Sequence, residues 1–337
     1  MTAGGYPGLA ARDGERTEVA IDLGGTWLRI RSGGRDSRVP SPSVLNRPGV
    51  AAPHLIRELV DTLCAAVPPD ARVAMSVGAA MDEETGVIHG SGPLWGGGTE
   101  EPVPLADLLR ERRPDVSWRL VNDVTAGLGC FAERFGRPAD RRIGYLTISS
   151  GIALRVADMT ERSVPVDAHG MQGEVGHLAA LSTAPEAVRR LPCACGGLGH
   201  VSSIAAGPAL PAVAAALGVE RPAALRGELP ERVRTGDGAA QRLLSVIVEP
   251  VAELLRVIRC LDPRIDLIGL GGGYVEGLSD IYRAELIRQL GEKRSYADRW
   301  LGREWAEHHV RVCDPGELDT LAGAGAMARG LLTVTKK

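Results

Sequence analysis

The chain has 337 residues, of which 44% are hydrophobic and 24% are charged, and its formal net charge at pH 7 is −3. A chain of this length can bury a large core and is expected to fold into two lobes of ordinary size. The lack of a long basic run argues against a nucleic-acid partner, and the lack of a signal peptide or a bilayer-spanning apolar stretch predicts a cytoplasmic protein with no membrane partner.

Residues 1–16 are rich in glycine, alanine and charge without periodicity, and we interpret them as a mobile N-terminal arm. The first motif follows, where two strand-forming runs flank Gly24 and Gly25. This predicts a tight hairpin whose turn can adopt positive φ and which exposes backbone N–H groups. Those amides and the hydroxyl of Thr26 suit a phosphate, and the carboxylate of Asp22 suits its metal ion. An ordinary Gly-Gly hairpin with an exposed aspartate is the alternative.

Apolar residues at helical spacing predict a helix within residues 50–67, and residues 73–77 form a predicted buried strand. Residues 90–98 contain many glycines around Trp95, which is typical either of a loop that folds over a ligand or of a surface loop pinned by its tryptophan. A short helix near Leu108 and a strand at 118–121 follow.

That strand leads directly into Asn122 and Asp123, with apolar residues at helical spacing after them. A carboxylate at the carboxyl end of a strand and the start of a helix lies where open α/β sheets place their chemistry. The alternative is a simple helix N-cap. Both can hold, with Asn122 serving the cap or a substrate hydroxyl and Asp123 free to accept a proton.

Residues 144–156 repeat the plan of the first motif, as an apolar strand, a small-residue turn at Ser149, Ser150 and Gly151, and a second strand that ends in Arg and an aliphatic residue. Thr147 takes the place of the aspartate. Two halves that each present such a hairpin would hold the phosphates of one nucleotide from both sides, and a duplication argues against an accidental turn.

A cluster of metal-binding residue types comes next, with His177, then Cys193 and Cys195, then His200 among glycines. Two thiolates and two imidazoles are ligands suited to tetrahedral zinc, although the spacing is not that of a zinc finger. Two buried thiols and two surface histidines are the alternative.

The last third of the chain is predicted to be mostly helical. A helix spans residues 239–261 and is kinked or interrupted at Pro250. A buried strand at 265–270 opens into Gly271, Gly272 and Gly273, which allow close approach of a flat ligand or form a plain loop. Helices are predicted for residues 279–290 and 319–332.

Together these motifs resemble the ROK family of bacterial sugar kinases. The resemblance implies an α/β protein of the actin-like, hexokinase-like ATPase fold, with two lobes that each hold a mixed β-sheet flanked by helices. It places the N-terminal lobe at residues 17–121 and the C-terminal lobe, which carries the zinc knuckle, at residues 122–318. A C-terminal helix at about residues 319–335 would pack back on the first lobe.

The resemblance also implies roles for the motif residues. Asp123 would be the catalytic base, and four residues would bind the hydroxyls of a sugar, namely Asn122, Asp123, Glu174 and His177. The phosphates of ATP and its Mg²⁺ would be held by Asp22, Gly24, Gly25, Thr26, Ser149, Ser150 and Gly151. The run Gly271, Gly272 and Gly273 would lie against adenosine, and His177, Cys193, Cys195 and His200 would bind structural zinc. A homodimer is expected.

Three features, which involve four positions, depart from the family pattern. His200 replaces the usual last cysteine ligand, Ser149 and Ser150 replace Gly-Thr in the second phosphate turn, and Ser202 replaces a sugar-binding glutamate. A site built around a hydroxyl loses discrimination when its charged partner is removed. Members of the family that act on C7-cyclitols of the valiolone type have acceptors without an ordinary anomeric centre, so we expect an acceptor of that kind.

The sequence therefore predicts an ATP-dependent kinase that phosphorylates the primary hydroxyl of a C7-cyclitol or a closely related sugar. The alternatives are a glucokinase that phosphorylates O6 of glucose and a non-catalytic sugar-binding protein of the same fold. A DNA-binding regulator of the family would need a helix-turn-helix before the first strand, for which residues 1–16 are too short.

Overall fold

The computed structural model describes residues 17–294, 296 and 302–336, so the predicted arm at 1–16 lies outside the described residues. Fourteen strands and twelve α-helices make up the described chain. The strands are β1 (Glu18–Leu23), β2 (Trp27–Ser32), β3 (Arg35–Pro40), β4 (Arg72–Val77), β5 (Ala80–Asp82), β6 (Val87–Ser91), β7 (Gly97–Val103), β8 (Ser117–Asn122), β9 (Arg142–Ile148), β10 (Ile152–Asp158), β11 (Ser163–Val166), β12 (Ile265–Gly271), β13 (Val310–Val312) and β14 (Thr333–Lys336). The helices are α1 (Ala52–Ala66), α2 (Gly92–Trp95), α3 (Leu105–Arg112), α4 (Asp123–Phe135), α5 (Glu186–Arg189), α6 (Val201–Ala205), α7 (Leu210–Ala216), α8 (Leu225–Arg234), α9 (Gly238–Leu261), α10 (Gly273–Leu290), α11 (Arg303–His309) and α12 (Thr320–Ala328).

The two large sheets share one topology. The first has the order β3-β2-β1-β4-β8 and the second has the order β13-β12-β9-β10-β11-β14. In each, a hairpin (β1–β2 or β9–β10) extends on one side into a third antiparallel strand and on the other into two parallel strands. The second sheet adds only β14, which pairs in parallel with β11. The duplication predicted from two similar hairpins therefore extends over whole sheets.

A helix pair lies between the two sheets. Helix α12 packs on β1 and β4 of the first sheet, α4 packs on β9 and β10 of the second, and the two helices contact each other. A continuous buried cluster, which includes Phe131, Tyr145 and Met327, fills this central layer. Two further cores lie outside it, one under the first sheet and one around α9.

Several predicted elements are confirmed, because their apolar spacing matches the face that they bury. Helix α1 buries Leu55, Leu59 and Leu63. Helix α9 (Gly238–Leu261) contains Pro250 and is not interrupted there, as one of the two predicted outcomes would have required. Asp237 is its N-cap, and the Asp237 side chain accepts hydrogen bonds from the N–H groups of Ala239 and Ala240. None of the described helices is long and apolar enough to cross a membrane.

Other boundaries were wrong. The glycine-rich segment 90–98 is not one loop, because it forms the end of β6, the short helix α2 and the start of β7, with Trp95 buried. Helix α10 begins at Gly273 and is kinked at Ser279, where φ is +31° and ψ is −103°, so its second segment starts where the predicted helix at 279–290 does. The last helix ends at Ala328, because Gly330 takes φ +81° and the β-branched residues beyond it form β14.

Candidate functional site

Two of the predicted site carboxylates lie at the same edge of the first sheet. Strands β1, β4 and β8 run parallel, with Leu23 paired to Val77 and Val77 paired to Asn122. Gly78 follows β4, and a Cβ on it would lie 3.6 Å from Oδ2 of Asp123 and 3.7 Å from the carbonyl oxygen of Leu23. Asp123 and Leu23, the residue after Asp22, therefore flank one glycine at the carboxyl ends of the strands.

Asp123 is the first residue of α4, and its Oδ1 accepts a hydrogen bond of 3.0 Å from the N–H of Val124. Burial, helped by the negative charges of Asp22 and Glu174, raises the pKa of its carboxyl to about 7, against the lowering effects of that hydrogen bond and of Arg155. A carboxyl that exchanges its proton near neutral pH has the property required of a general base.

Asn122 serves the helix cap. Its Oδ1 accepts from the N–H of Val124 at 2.9 Å, and its Nδ2 donates to the carbonyl oxygen of Ala79 at 2.8 Å. The side chain is buried and tied to the end of β4 as well as to α4. The cap interpretation is therefore confirmed, and the contact of Asn122 with a substrate hydroxyl stays a prediction.

Asp22 has a partner that the sequence did not identify. Its Oδ2 accepts hydrogen bonds from Nε and Nη2 of Arg29, at 3.0 and 2.6 Å, directly across the hairpin. Nη2 of Arg29 also donates to Oγ1 of Thr320, at the start of α12. Within the described residues Oδ1 of Asp22 has no hydrogen-bond partner, so one carboxylate oxygen remains for a hydrated cation.

The turn between β1 and β2 is tight, but not for the predicted reason. Neither Gly24 nor Gly25 has positive φ. Glycine is needed at position 25 because a Cβ there would lie 2.5 Å from Cβ of Pro93 and 2.8 Å from Cδ1 of Leu45. Among the described residues, the N–H groups of Gly25 and Thr26 donate to no protein acceptor, which leaves them for a ligand oxygen.

The second turn is more open. The N–H of Ser149 donates to the carbonyl of Gly151 at 2.9 Å, and Ser150 and Gly151 are exposed, with nothing within 4 Å of a Cβ on Gly151. Thr147 and Asp22 are each the last residue but one of the first strand in their hairpin. Thr147 pairs with Ala153 on the second strand, and Asp22 pairs with Arg29. The predicted correspondence of Thr147 with Asp22 is confirmed, whereas Arg155 lies two residues further along its strand than Arg29 does.

The glycine run after β12 lies beside the second turn. Gly272 has φ +106°, and a Cβ on it would lie 2.9 Å from the carbonyl oxygen of Ile148 and from Oγ1 of Thr147. A Cβ on Gly271 would meet Leu318 and Tyr145 at 2.6 and 2.7 Å. Only Gly273 has open space around it. The first two glycines therefore serve packing within the protein, and room for a ligand remains at the third.

Glu174 is brought to the site by the loop before the 3-10 turn Val175–His177. Burial raises the pKa of its carboxyl, while the charges of Arg155 and His177 act in the opposite direction. Its charge acts in turn on Asp123. Asp22 and Glu174 thus both lie within electrostatic reach of Asp123, as expected for one site.

The four predicted metal ligands lie together. One ligand atom each from His177, Cys193, Cys195 and His200 falls within 4.8 Å of the other three. Nδ1 of His177 is 3.6 Å from Sγ of Cys193, and Nδ1 of His200 is 3.2 Å from Sγ of Cys195. Two sulfurs and two nitrogens at such separations fit a tetrahedral zinc ion, whose bonds to them measure about 2.0 to 2.3 Å.

Two buried charged residues escaped the sequence analysis. Glu83 follows β5, Arg155 lies on β10, and Nη2 of Arg155 is 3.6 Å from Oε1 of Glu83. Glu83 sits in a polar turn that carries no motif, so nothing in the sequence marked it. Arg155 did carry a signal, because the second hairpin also ends in an arginine followed by an aliphatic residue, but its partner lies in a distant segment of the chain.

Comparison with known proteins places this architecture in a family. The model of the ROK family matches residues 18–328. The 2-epi-5-epi-valiolone 7-kinase of Actinoplanes sp. is 38% identical over 331 residues, which cover 92% of each chain. The C(7)-cyclitol 7-kinase of Streptomyces hygroscopicus subsp. jinggangensis is 33% identical over 276 residues, 71% of this chain and 74% of that protein.

Among solved structures, a ROK family glucokinase from Streptomyces griseus, in complex with glucose and AMPPNP, superposes with a TM-score of 0.64 at 21% identity. The match covers 93% of this chain and 99% of that one. The predicted actin-like, hexokinase-like ATPase fold is confirmed.

Proposed function

This chain belongs to the ROK family, and from that membership we propose that it is an ATP-dependent kinase that phosphorylates the primary hydroxyl of a C7-cyclitol of the valiolone type. The observation that carries the reaction type is the buried carboxyl of Asp123, with a pKa of about 7, at the sheet edge that it shares with Asp22. The acceptor class is supported by the two cyclitol kinases that this chain resembles.

The two hairpin turns supply the phosphate site in this proposal. The free N–H groups of Gly25 and Thr26 face the phosphoryl oxygens from one half, and the exposed turn at Ser149, Ser150 and Gly151 faces them from the other. Magnesium bound with ATP neutralises charge on the phosphoryl oxygens. Oδ1 of Asp22 would hold that cation, and Gly24 lies in the turn that presents these groups.

Asp123 then acts as the general base. It takes the proton of the primary hydroxyl while that oxygen attacks the γ-phosphorus, and the bond from the γ-phosphorus to the bridging oxygen breaks to release ADP. Because the transition state is loose, alignment of the hydroxyl matters more than its basicity. Oδ2 of Asp123, the oxygen that does not accept from Val124, is the one available for the proton.

The acceptor ring is held by Asn122, Glu174 and His177. If Nδ1 of His177 binds zinc, as its approach to Cys193 supports, Nε2 on the other side of the ring stays available for a substrate hydroxyl. Zinc is then structural and fixes the loop that carries Glu174. Gly271, Gly272 and Gly273 border the adenosine, with the free space at Gly273.

The short side chain of Ser202 favours the cyclitol over glucose. Its Oγ is the atom that a Cβ on Gly176 would meet, at 2.2 Å, so Ser202 lies against the 3-10 turn of the Glu174 loop. A serine there cannot reach as far as the charged acceptor of the family pattern. We also propose, from family membership, that the chain works as a homodimer in the cytoplasm, which sedimentation and fractionation test.

The decisive experiment is an ADP-release assay with Mg-ATP against 2-epi-5-epi-valiolone, glucose and N-acetylmannosamine. We expect turnover of the cyclitol, and a loss of several orders of magnitude in the Asp123→Asn variant with its fold retained by circular dichroism. Unchanged turnover in that variant would remove Asp123 from the mechanism. Preference for glucose would replace the cyclitol by the glucokinase alternative, and no turnover of any acceptor would leave a non-catalytic binding protein.

A further inference from the structure

Arg155 on β10 of the second sheet contacts Glu83, which follows β5 and binds the first turn of α4. Its side chain is 2% exposed, that of Glu83 is fully buried, and their N–O distance is 3.6 Å. Oε2 of Glu83 accepts from the N–H of Asn122 at 3.0 Å, and Oε1 accepts from Oγ1 of Thr125 at 2.8 Å. Glu83 therefore lies under the first turn of α4, with its two anchor points on either side of Asp123.

The same guanidinium also holds the loop that carries Glu174. Nη1 of Arg155 donates to the carbonyl oxygen of Gln172, two residues before Glu174. The loop lies directly on β10, because the N–H of Leu154 donates to the carbonyl of Gly173 at 2.8 Å. A Cβ on Gly173 would lie 1.8 Å from the carbonyl oxygen of Leu154 and 3.0 Å from Nη1 of Arg155, so the approach permits only glycine.

The positive charge of Arg155 also acts on three carboxyl groups. Its charge lowers the pKa of Glu83, of Asp123 and of Glu174, each of which burial raises. The groups that act on Asp123 from the surrounding elements are Asp22 on β1, Glu174 on its loop and Arg155 on β10. Nη2 of the guanidinium faces the Glu83 carboxylate and Nη1 binds the Gln172 carbonyl. The single ammonium group of lysine cannot reproduce this two-sided geometry.

We propose that Arg155 is a positioning residue for the acceptor: by linking Glu83 under α4 to the Gln172 carbonyl, it holds Asp123 and Glu174 at a fixed separation around one ring. The inference rests on the proposed function for its kinetic test. It adds a residue that contacts neither the hydroxyl nor the phosphate and acts through the two elements that do.

The kinetic test compares Arg155→Met and Arg155→Lys with the wild type, for the cyclitol and for ATP separately. We expect Arg155→Met to lower kcat/KM for the acceptor by about a hundredfold, the loss typical of a small misplacement of reacting groups. KM for ATP should stay within about twofold, because the phosphate turns are intact. Arg155→Lys should recover part of the loss, since an ammonium keeps the positive charge but cannot contact both Glu83 and the Gln172 carbonyl.

The matched control is Arg142→Met. Arg142 lies on β9 of the same sheet and pairs with Asp158 and Asp262, away from the site carboxylates. It should lower stability without a selective effect on the acceptor. An equal loss for acceptor and ATP in Arg155→Met, or the same pattern in Arg142→Met, would reduce Arg155 to a structural role and overturn the proposal.

Hydrogen–deuterium exchange gives a readout that does not require activity. In Arg155→Met, the amides of residues 171–175 and of the first turn of α4 should exchange faster, and in Arg142→Met they should not. Unchanged exchange there in a folded Arg155→Met protein would overturn the proposal. If the wild type phosphorylates no acceptor while exchange increases as expected, the proposed function fails and the link made by Arg155 stands.

Discussion

At the scale of the residue, Asp123 shows how an ordinary helix start becomes reactive. Burial and the neighbouring charges of Asp22 and Glu174 disfavour its ionised form more than the Val124 hydrogen bond and Arg155 favour it. The carboxyl therefore gains and loses its proton near neutral pH. Once it ionises, the folded state is destabilised relative to the unfolded chain. Asp36, an exposed aspartate paired with Arg31, shows the opposite shift, because its partner lowers its pKa.

This cost predicts that Asp123→Asn stabilises the protein at alkaline pH. In the unfolded chain the carboxyl ionises near pH 4, and in the folded protein at about 7. The folded state therefore retains the proton to higher pH, and the free energy of unfolding falls as pH rises from about 4 to 7 and then levels off at a lower value. The variant should be more stable by up to about 4 kcal/mol above pH 8, with no difference below pH 4.

Thermal unfolding of both proteins from pH 4 to pH 9 measures the difference. Asp36→Asn is the control, and it should be slightly less stable than the wild type at pH 8 because it removes an ion pair. A difference between wild type and Asp123→Asn that stays constant with pH would mean that Asp123 ionises in the folded protein as it does in the unfolded chain.

At the scale of the element, the β1–β2 turn predicts a contrast between its two glycines. A Cβ at position 25 would overlap Pro93 and Leu45, whereas the nearest atom to one at position 24 is 3.5 Å away. Gly25→Ala should cost about 1 to 3 kcal/mol of stability and raise KM for ATP, because the turn must shift to admit the methyl group. Gly24→Ala should cost less stability and raise KM for ATP less than Gly25→Ala does, by denaturant unfolding and ADP-release kinetics. Equal effects would mean that neighbouring side chains do not confine the turn.

The knuckle of His177, Cys193, Cys195 and His200 predicts one zinc per chain. Cys193→Ser should lose the metal, as measured by mass spectrometry, and raise KM for the acceptor more than KM for ATP, because the loop of Glu174 is no longer fixed. Cys260→Ser, at an exposed thiol outside the cluster, is the matched control and should retain both. A metal-free wild type that is folded and active would contradict the zinc proposal.

At the scale of the whole molecule, two equivalent sheets meet across α4 and α12. The two helices approach so closely that a Cβ on Gly323 would lie 1.9 Å from the carbonyl oxygen of Ala126. Since α4 begins at Asp123 and α12 packs on β1, this contact fixes α4 against the strand of Asp22. Small residues on α12 therefore set how closely α4 and α12, and the two sheets that they pack on, approach each other.

Gly323→Ala should push the helices apart and destabilise the protein by about 2 kcal/mol or more, measured by chemical denaturation. Gly325→Ala on the same helix meets only the far end of Arg329 at 3.2 Å. It should be neutral or stabilise by up to about 1 kcal/mol, as alanine does in a helix. Tolerance of alanine at position 323 would mean that the helix pair is less closely packed than in this structure.

The sequence by itself determined the hairpins, the strand-to-helix junction at Asp123 and the His and Cys cluster. Each of these is set by local chemistry, namely alternating apolar residues, small turn residues, a helix cap and the donor atoms of one short segment. The tertiary structure alone decided the role of Gly25, the partner of Asp22, the raised pKa of Asp123 and the link from Glu83 through Arg155 to Gln172. These depend on burial and on contacts between segments far apart in the chain, and no local pattern encodes which distant residue will lie 3 Å away.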